Sequence, residues 1–226
     1  MSEFLSLEYI SEIVATIFYA ISGVRLAAFK RFDWFGAYVI GFVTAFGGGT
    51  VRDVLLGLTP FWMDDVNYVI ATVVGLAIVI LFRKKLVRIE GTFYIFDAFG
   101  LALFTDVGIY KALHAGHPFW MAIMMGTITG AMGGVLRDIF INEVPLVFRK
   151  EVYATACIIG GVIYWAVWLV GGSEFWQEMS CAVVVIVLRF FAVKYNLSFP
   201  ALHTGMEGHE KGPDLHKIVK KNHEDK

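Results

Sequence analysis

The chain has 226 residues, of which 58% are hydrophobic and only 17% charged, with a mean hydropathy of +0.67. That is too apolar for a soluble domain of this length and predicts an integral membrane protein. The formal net charge of -1 says little by itself, because in such a chain the placement of charge along the sequence carries the information.

The first residues carry Glu3 and Glu8 where a secretory signal would be basic, so no cleavable leader is expected. A membrane-spanning helix needs about 20 mostly apolar residues. Seven stretches approach that: about 8–28, 34–56, 66–82, 92–113, 118–141, 152–170 and 175–193. Asp33 precedes the second, Pro60 follows it, Pro118 opens the fifth, and Gly171-Gly172-Ser173 precedes the seventh; these are helix-end signals. The third stretch is the shortest, and its limits are the least defined. The predicted class is all-α, with seven transmembrane helices.

Basic residues orient the set. Arg25, Lys30 and Arg31 follow the first helix, Arg83, Lys84, Lys85 and Arg88 the third, Arg149 and Lys150 the fifth, and Arg189 and Lys194 the seventh. All fall on one side, whereas Asp64, Asp65, Glu174 and Glu178 fall on the other, with Lys111 as the exception. The positive-inside rule places the N-terminus outside and the C-terminus in the cytoplasm. Residues 195–226 are polar and rich in lysine and histidine, and read as a cytoplasmic tail.

The chain repeats itself. "FGGGTVRD" at 46–53 recurs as "MGGVLRD" at 132–138, and one offset of 85 residues aligns both without a gap. Under it Gly23 meets Gly108, Thr44 meets Thr129, Gly48-Gly49 meets Gly133-Gly134, Arg52-Asp53 meets Arg137-Asp138, and Tyr68 meets Tyr153. Each repeat is three helices, about 8–82 and 92–170, so the second enters the membrane from the opposite side. That is an inverted-topology repeat, common among solute and ion pathways, with the seventh helix standing outside it.

Gly47, Gly48 and Gly49 lie roughly 20 Å along their helix at 1.5 Å per residue, within the hydrocarbon. Two readings stand. Glycines there weaken the helix by about 1 kcal/mol each against alanine and permit an unwound step whose freed carbonyls, near Thr44, face a cation path; Thr129, Gly133 and Gly134 are the second copy. Alternatively, they permit close helix contact. The doubling of the motif favours the first.

Glu12 and Arg52 should share a depth near one mouth, and Asp97 and Arg137 near the other. Intramembrane charges cost on the order of 2.5–3.5 kcal/mol each and usually face a bundle interior. Such pairs either serve the pathway or lock helices together. Asp53 and Asp138 adjoin their arginines, and adjacent helical residues do not share a face, so each is expected to reach another partner. Glu12, Asp97 and Asp106 suit proton coupling as well as cation attraction. Cys157 and Cys181 lie in apolar runs and read as buried free thiols.

Other chemistries fail on spacing. No Gly-Lys-Ser/Thr follows Gly47–Asp53, which rejects a phosphate-binding loop. His114 and His117 lack a third ligand and read as a solvated pair, as do the scattered tail histidines His203, His209, His216 and His223. No nucleophile and base come together, so an enzyme is not expected, nor a cofactor, a resident metal or a nucleic-acid partner. Trp34, Trp120, Trp165, Trp168 and Trp176 sit near helix ends as interfacial anchors.

"TAFGGGTVRDVLLG" at 44–57, "GAMGGVLRD" at 130–138 and "FDAFGLALF" at 96–104 resemble the bacterial and archaeal trimeric intracellular cation channel family, over about 12–194. The resemblance implies a homotrimer of seven-helix subunits, each with its own pore for monovalent cations such as potassium, in contact with membrane lipids and compatible with a bound one. It implies glycine-kinked second and fifth helices, here at Gly47, Gly48, Gly49, Gly133 and Gly134. The second copy departs from the triple glycine, with Met132 in the first place. The Lys-Glu-Val signature of the animal channels is absent from the stretch that follows this glycine pair. The same family is also labelled a glycine transporter, which leaves secondary transport of a small solute as the other functional reading.

Overall fold

The computed structural model describes residues 6–86, 92–149, 152–195 and 197; the tail from 198 onward, together with Arg88 and Lys150 of the basic clusters, lies outside them. Among the described residues every regular element is helical. The long helices are α1 (Leu7–Phe29), α2 (Trp34–Leu55), α6 (Thr92–His114), α7 (Phe119–Phe140) and α9 (Glu174–Tyr195), and each is long and apolar enough to cross a membrane. Two others, α4 (Val66–Leu81) and α8 (Ala154–Leu169), are apolar but only 16 residues long. At 1.5 Å per residue each reaches about 24 Å, short of a typical hydrocarbon core. Between them lie elements that apolar runs alone do not reveal: α3 (Phe61–Asp64), α5 (Arg83–Leu86) and a 3-10 turn at Leu146–Phe148.

The ends follow from local chemistry. Ser6, Asp33 and Asp65 accept N–H bonds from Tyr9, Gly36 and Asn67 and so cap α1, α2 and α4. Left-handed residues close the other ends, and they come in pairs. Arg31 (φ 64°) after α1 matches Gly116 (φ 83°) after α6, and Gly57 (φ 72°) after α2 matches Asn142 (φ 57°) after α7. In each case the next residue bonds back across the turn, as Leu58 does to Asp53 O (2.8 Å) and Glu143 to Asp138 O (2.8 Å). The offset read from sequence is therefore built into the backbone.

The core is a seam of small residues. Gly23 of α1 lies against Gly41 and Thr44 of α2, and Gly108 of α6 lies against Gly126 and Thr129 of α7. Glycine here lets backbones approach to distances that side chains would forbid. Around this seam Ala15, Tyr19, Leu101, Phe104 and Ile109 are fully buried. Cys157 and Cys181 are buried free thiols, as expected. The tryptophans assigned to interfaces are all exposed, from 41% at Trp165 to 70% at Trp120.

One expectation fails. Both α2 and α7 run helical through their glycines, without the unwound step that would free the Thr44 and Thr129 region carbonyls. The reason lies in what the glycines touch. A Cβ on Gly48 would stand 2.0 Å from the Thr129 carbonyl oxygen, and one on Gly133 would stand 2.3 Å from the Thr44 carbonyl oxygen. Contact between the two helices repays the low helical propensity, so tertiary packing overrides it.

Candidate functional site: two charge clusters flanking the crossing of α2 and α7

The glycine crossing is the centre of the fold's internal symmetry. Gly48 faces Thr129 as Gly133 faces Thr44. Both threonine hydroxyls donate back within their own helices, Thr44 to Ile40 O (2.6 Å) and Thr129 to Met125 O (2.6 Å). Tyr19 of α1 fills the space beside the crossing. Its ring is the nearest neighbour of Gly100 and lies close to Gly133, and its hydroxyl donates to the Gly130 carbonyl at 2.5 Å. Under the repeat Tyr19 corresponds to Phe104, which has no hydroxyl. At this point α2 and α7 meet backbone to backbone, with Tyr19 packed beside them.

On one side of the crossing, Arg52 Nη2 donates to Glu12 Oε1 (2.9 Å) and its Nε to Asp53 Oδ1 (2.7 Å). Tyr68 donates to Glu12 Oε2 (2.8 Å). Lys111 Nζ reaches both Glu12 oxygens (3.0 and 2.9 Å) and lies 3.8 Å from Glu8. Arg52 and Lys111 also lie over the Phe61 ring, each 5.6 Å from its centroid.

The other side repeats the plan. Arg137 Nη1 donates to Asp97 Oδ1 (2.6 Å) and its Nε to Asp138 Oδ1 (2.9 Å). Tyr153 donates to Asp97 at 3.4 Å. Here the second cation is Arg189 of α9, 3.8 Å from Asp97 Oδ2, and Arg137 also donates to Ser22 (2.9 Å) and lies over Phe93. Arg52, Arg137 and Asp97 are fully buried, and Glu12 nearly so.

The pairings Glu12–Arg52 and Asp97–Arg137 stand where the sequence put them. The expectation that Asp53 and Asp138 avoid their neighbouring arginines is wrong, because the long guanidinium folds across the helix end to reach them. Each aspartate nevertheless has the second partner expected of it. Asp53 Oδ2 accepts the Phe61 N–H (2.9 Å) and Asp138 Oδ2 the Leu146 N–H (3.0 Å), fastening the turn that follows each helix. Sequence reasoning missed Lys111 and Arg189 as the second cations: Lys111 corresponds to Leu26 under the offset and reads only as an exception to the charge rule, and Arg189 lies on α9, outside both copies. Tyr68 and Tyr153 were visible as a repeated pair without an assigned role.

At the rim, the Asp65 carboxyl is desolvated, which pushes it up, but the Asn67 N–H and the Tyr9 hydroxyl bonded to it hold it below the ordinary aspartate range. Near the opposite ends, Lys30 pairs with exposed Glu143, which also accepts from Arg149 (3.3 Å), and this keeps the Glu143 carboxyl low. His114 stacks on Tyr110 (3.9 Å between centroids) and is exposed, as expected for a solvated histidine. Among the described residues no group of three or more His, Cys, Asp or Glu side chains is arranged to hold a metal ion.

Comparison with known proteins fits this geometry. The sequence family described as "Glycine transporter" matches twice, over residues 9–84 and 94–169, two copies that start 85 residues apart. The UPF0126 membrane protein of Vibrio cholerae is 40% identical over 197 residues, covering 86% of this chain and 82% of that one. The UPF0126 inner membrane protein YadS of Escherichia coli K12 is 39% identical, covering 86% and 95%. Among solved structures, the trimeric intracellular cation (TRIC) channel orthologue of Rhodobacter sphaeroides superimposes with a TM-score of 0.79 at 29% identity, over 84% of this chain and 99% of that one. A TRIC cation channel solved to explain conductance gives 0.78 at 29% identity, over 88% and 98%. The fold is that of the TRIC channels, in an all-α integral membrane protein.

Proposed function

The chain belongs to the membrane protein family described as glycine transporters, and from its TRIC channel fold we propose that it is a monovalent cation channel, with potassium as a permeant ion and one pathway in each subunit of a homotrimer. The observation that carries this reading is the fold match over more than four-fifths of the chain to TRIC cation channels, one of them solved in 0.5 M KCl. The pathway runs between the two charge clusters and past the α2–α7 crossing. Both 16-residue helices cross the bilayer in this reading, giving seven spans, with the N-terminus outside and the tail in the cytoplasm of a prokaryotic inner membrane.

The chemistry supports it. Glu8, Glu12 and Asp53 outnumber Arg52 and Lys111 in one cluster, which favours cations there. Conduction requires Tyr19 to leave the Gly130 carbonyl and the crossing to part, and Thr44, Thr129, Gly47, Gly48, Gly49, Gly133 and Gly134 then border the gap and offer polar and backbone groups to a partly dehydrated ion. The bilayer supplies the surrounding lipid, and no enzyme chemistry enters.

Purified protein in liposomes is expected to dissipate a potassium gradient without saturating. The family's description favours a second reading, secondary transport of glycine. Saturable uptake of labelled glycine with no potassium leak would establish that reading in place of the channel.

Topology has its own check. In a background lacking Cys157 and Cys181, a cysteine at Asp65 or Glu174 should react with an impermeant reagent in intact cells, and one at Lys84 only after permeabilisation. The reverse pattern would refute the orientation.

A further inference from the structure

Among the described residues six acidic side chains are buried, and four of them, Glu12, Asp53, Asp97 and Asp138, have a cationic partner. Asp106 on α6 and Glu178 on α9 do not. They are 3% and 6% exposed, they form no ion pair among the described residues, and Asp106 Oδ1 and Glu178 Oε2 are buried without a hydrogen-bond partner. Both line one groove of about 300 Å³ between α1, α6 and α9. Lys111, one turn and a half further along α6, is held by Glu8 and Glu12.

The pair is not a by-product of the repeat. Under the offset Asp106 corresponds to Ile21, a buried apolar residue, and α9 lies outside both copies. Two buried acids without a cation in an apolar groove must either hold their protons or be completed by a cation from outside the chain.

We propose that the α1–α6–α9 groove is a binding site for a small organic ammonium whose charge is attached directly to an apolar body. The groove has two unlike ends. The acids and Ser11 lie toward the end where α1 and α9 begin and α6 finishes. The wall beyond them is apolar, with Phe18 and Phe99 stacked at 5.1 Å and Leu103 and Ile186 alongside. Its volume is at the small end of the range for organic ligands. A bare metal ion would find only carboxylates and one hydroxyl, and the apolar wall would go unused. A zwitterionic phospholipid would bring a phosphate next to its ammonium, and no lysine, arginine or histidine lines the groove to receive it. The site does not depend on whether the central pathway carries an ion or a solute.

The test uses the full chain in phosphatidylcholine nanodiscs with 2-phenylethylammonium as probe and the uncharged, similarly shaped 2-phenylethanol as control. Calorimetric titration is expected to show saturable binding of the ammonium and at least about tenfold weaker binding of the alcohol. Asp106→Asn and Glu178→Gln, which keep shape and remove charge, should each weaken the ammonium by about tenfold, the scale of one lost charged hydrogen bond. Leu103→Trp, which fills the groove and leaves both acids in place, should abolish binding. Equal affinity for the two probes, or binding indifferent to the acid substitutions, would mean apolar partition and overturn the proposal. So would displacement by equimolar KCl, which points to a metal ion. Loss of binding only in phosphatidylethanolamine nanodiscs would assign the groove to a lipid headgroup, and absence of binding in every variant would refute a ligand altogether.

Discussion

Replacing Arg137 with methionine should destabilise the folded subunit by about 3–5 kcal/mol, the usual cost of removing one partner from a buried ion pair. The guanidinium holds Asp97 at 2.6 Å, Asp138 at 2.9 Å and Ser22 at 2.9 Å, tying α1, α6 and α7 together from a fully buried position. Methionine keeps most of the volume, leaves Asp138 without its cation and leaves Asp97 with only Arg189, 3.8 Å away. Arg137→Lys should fall in between, since an ammonium cannot offer the forked donors that reach Asp97 and Asp138 together. Adding Asp138→Asn to Arg137→Met should recover part of the loss by removing the charge left without a cation. Melting of the detergent-solubilised protein, followed by size-exclusion chromatography, reads all three. An Arg137→Met variant that melts with the wild type would show that the pair does not hold the fold together, and would leave a role in the pathway as its reason to exist.

How far the sequence reaches is visible in these clusters. Glu12–Arg52 and Asp97–Arg137 are legible because a repeat at constant offset turns two weak guesses into one strong pattern. The long helices are legible too, to within two residues at each described end, because an apolar run of about 20 residues has few alternatives. Lys111 and Arg189 are not legible, because each breaks the repeat to do for one copy what a different helix does for the other. The arginine contacts of Asp53 and Asp138 elude a rule based on Cα directions, since a guanidinium four bonds from its Cβ reaches around a helix end. The glycines mislead for a related reason. Propensity describes a helix alone, and these helices are never alone. The offset shows that both helices carry glycines, but not that each presents them to the other's threonine carbonyl.

That contact yields the sharpest prediction. Gly48→Ala should lower stability and trimer yield although alanine favours helix by about 1 kcal/mol, because its Cβ would stand 2.0 Å from the Thr129 carbonyl oxygen. A backbone oxygen cannot turn aside as a side chain can, so α2 and α7 must separate by about an ångström, at an overpacking cost of about 1–3 kcal/mol. Gly133→Ala meets the Thr44 carbonyl at 2.3 Å and should behave alike. The double variant should cost less than the sum of the two, since whichever methyl parts the helices first has already made room for the other. Gly47→Ala is the control within the same triplet. Its Cβ would meet only the tip of the Leu136 side chain, at 2.5 Å, which a rotamer change can relieve, so Gly47→Ala should be neutral or slightly stabilising. Thermal melting and size-exclusion profiles separate these outcomes, and potassium flux in liposomes can then be compared among the variants that assemble. If Gly48→Ala and Gly133→Ala melt higher than the wild type, as Gly47→Ala does, while flux is lost, then the crossing is not held by backbone contact. The glycines would then serve as a flexible break after all, one that opens only when an ion passes.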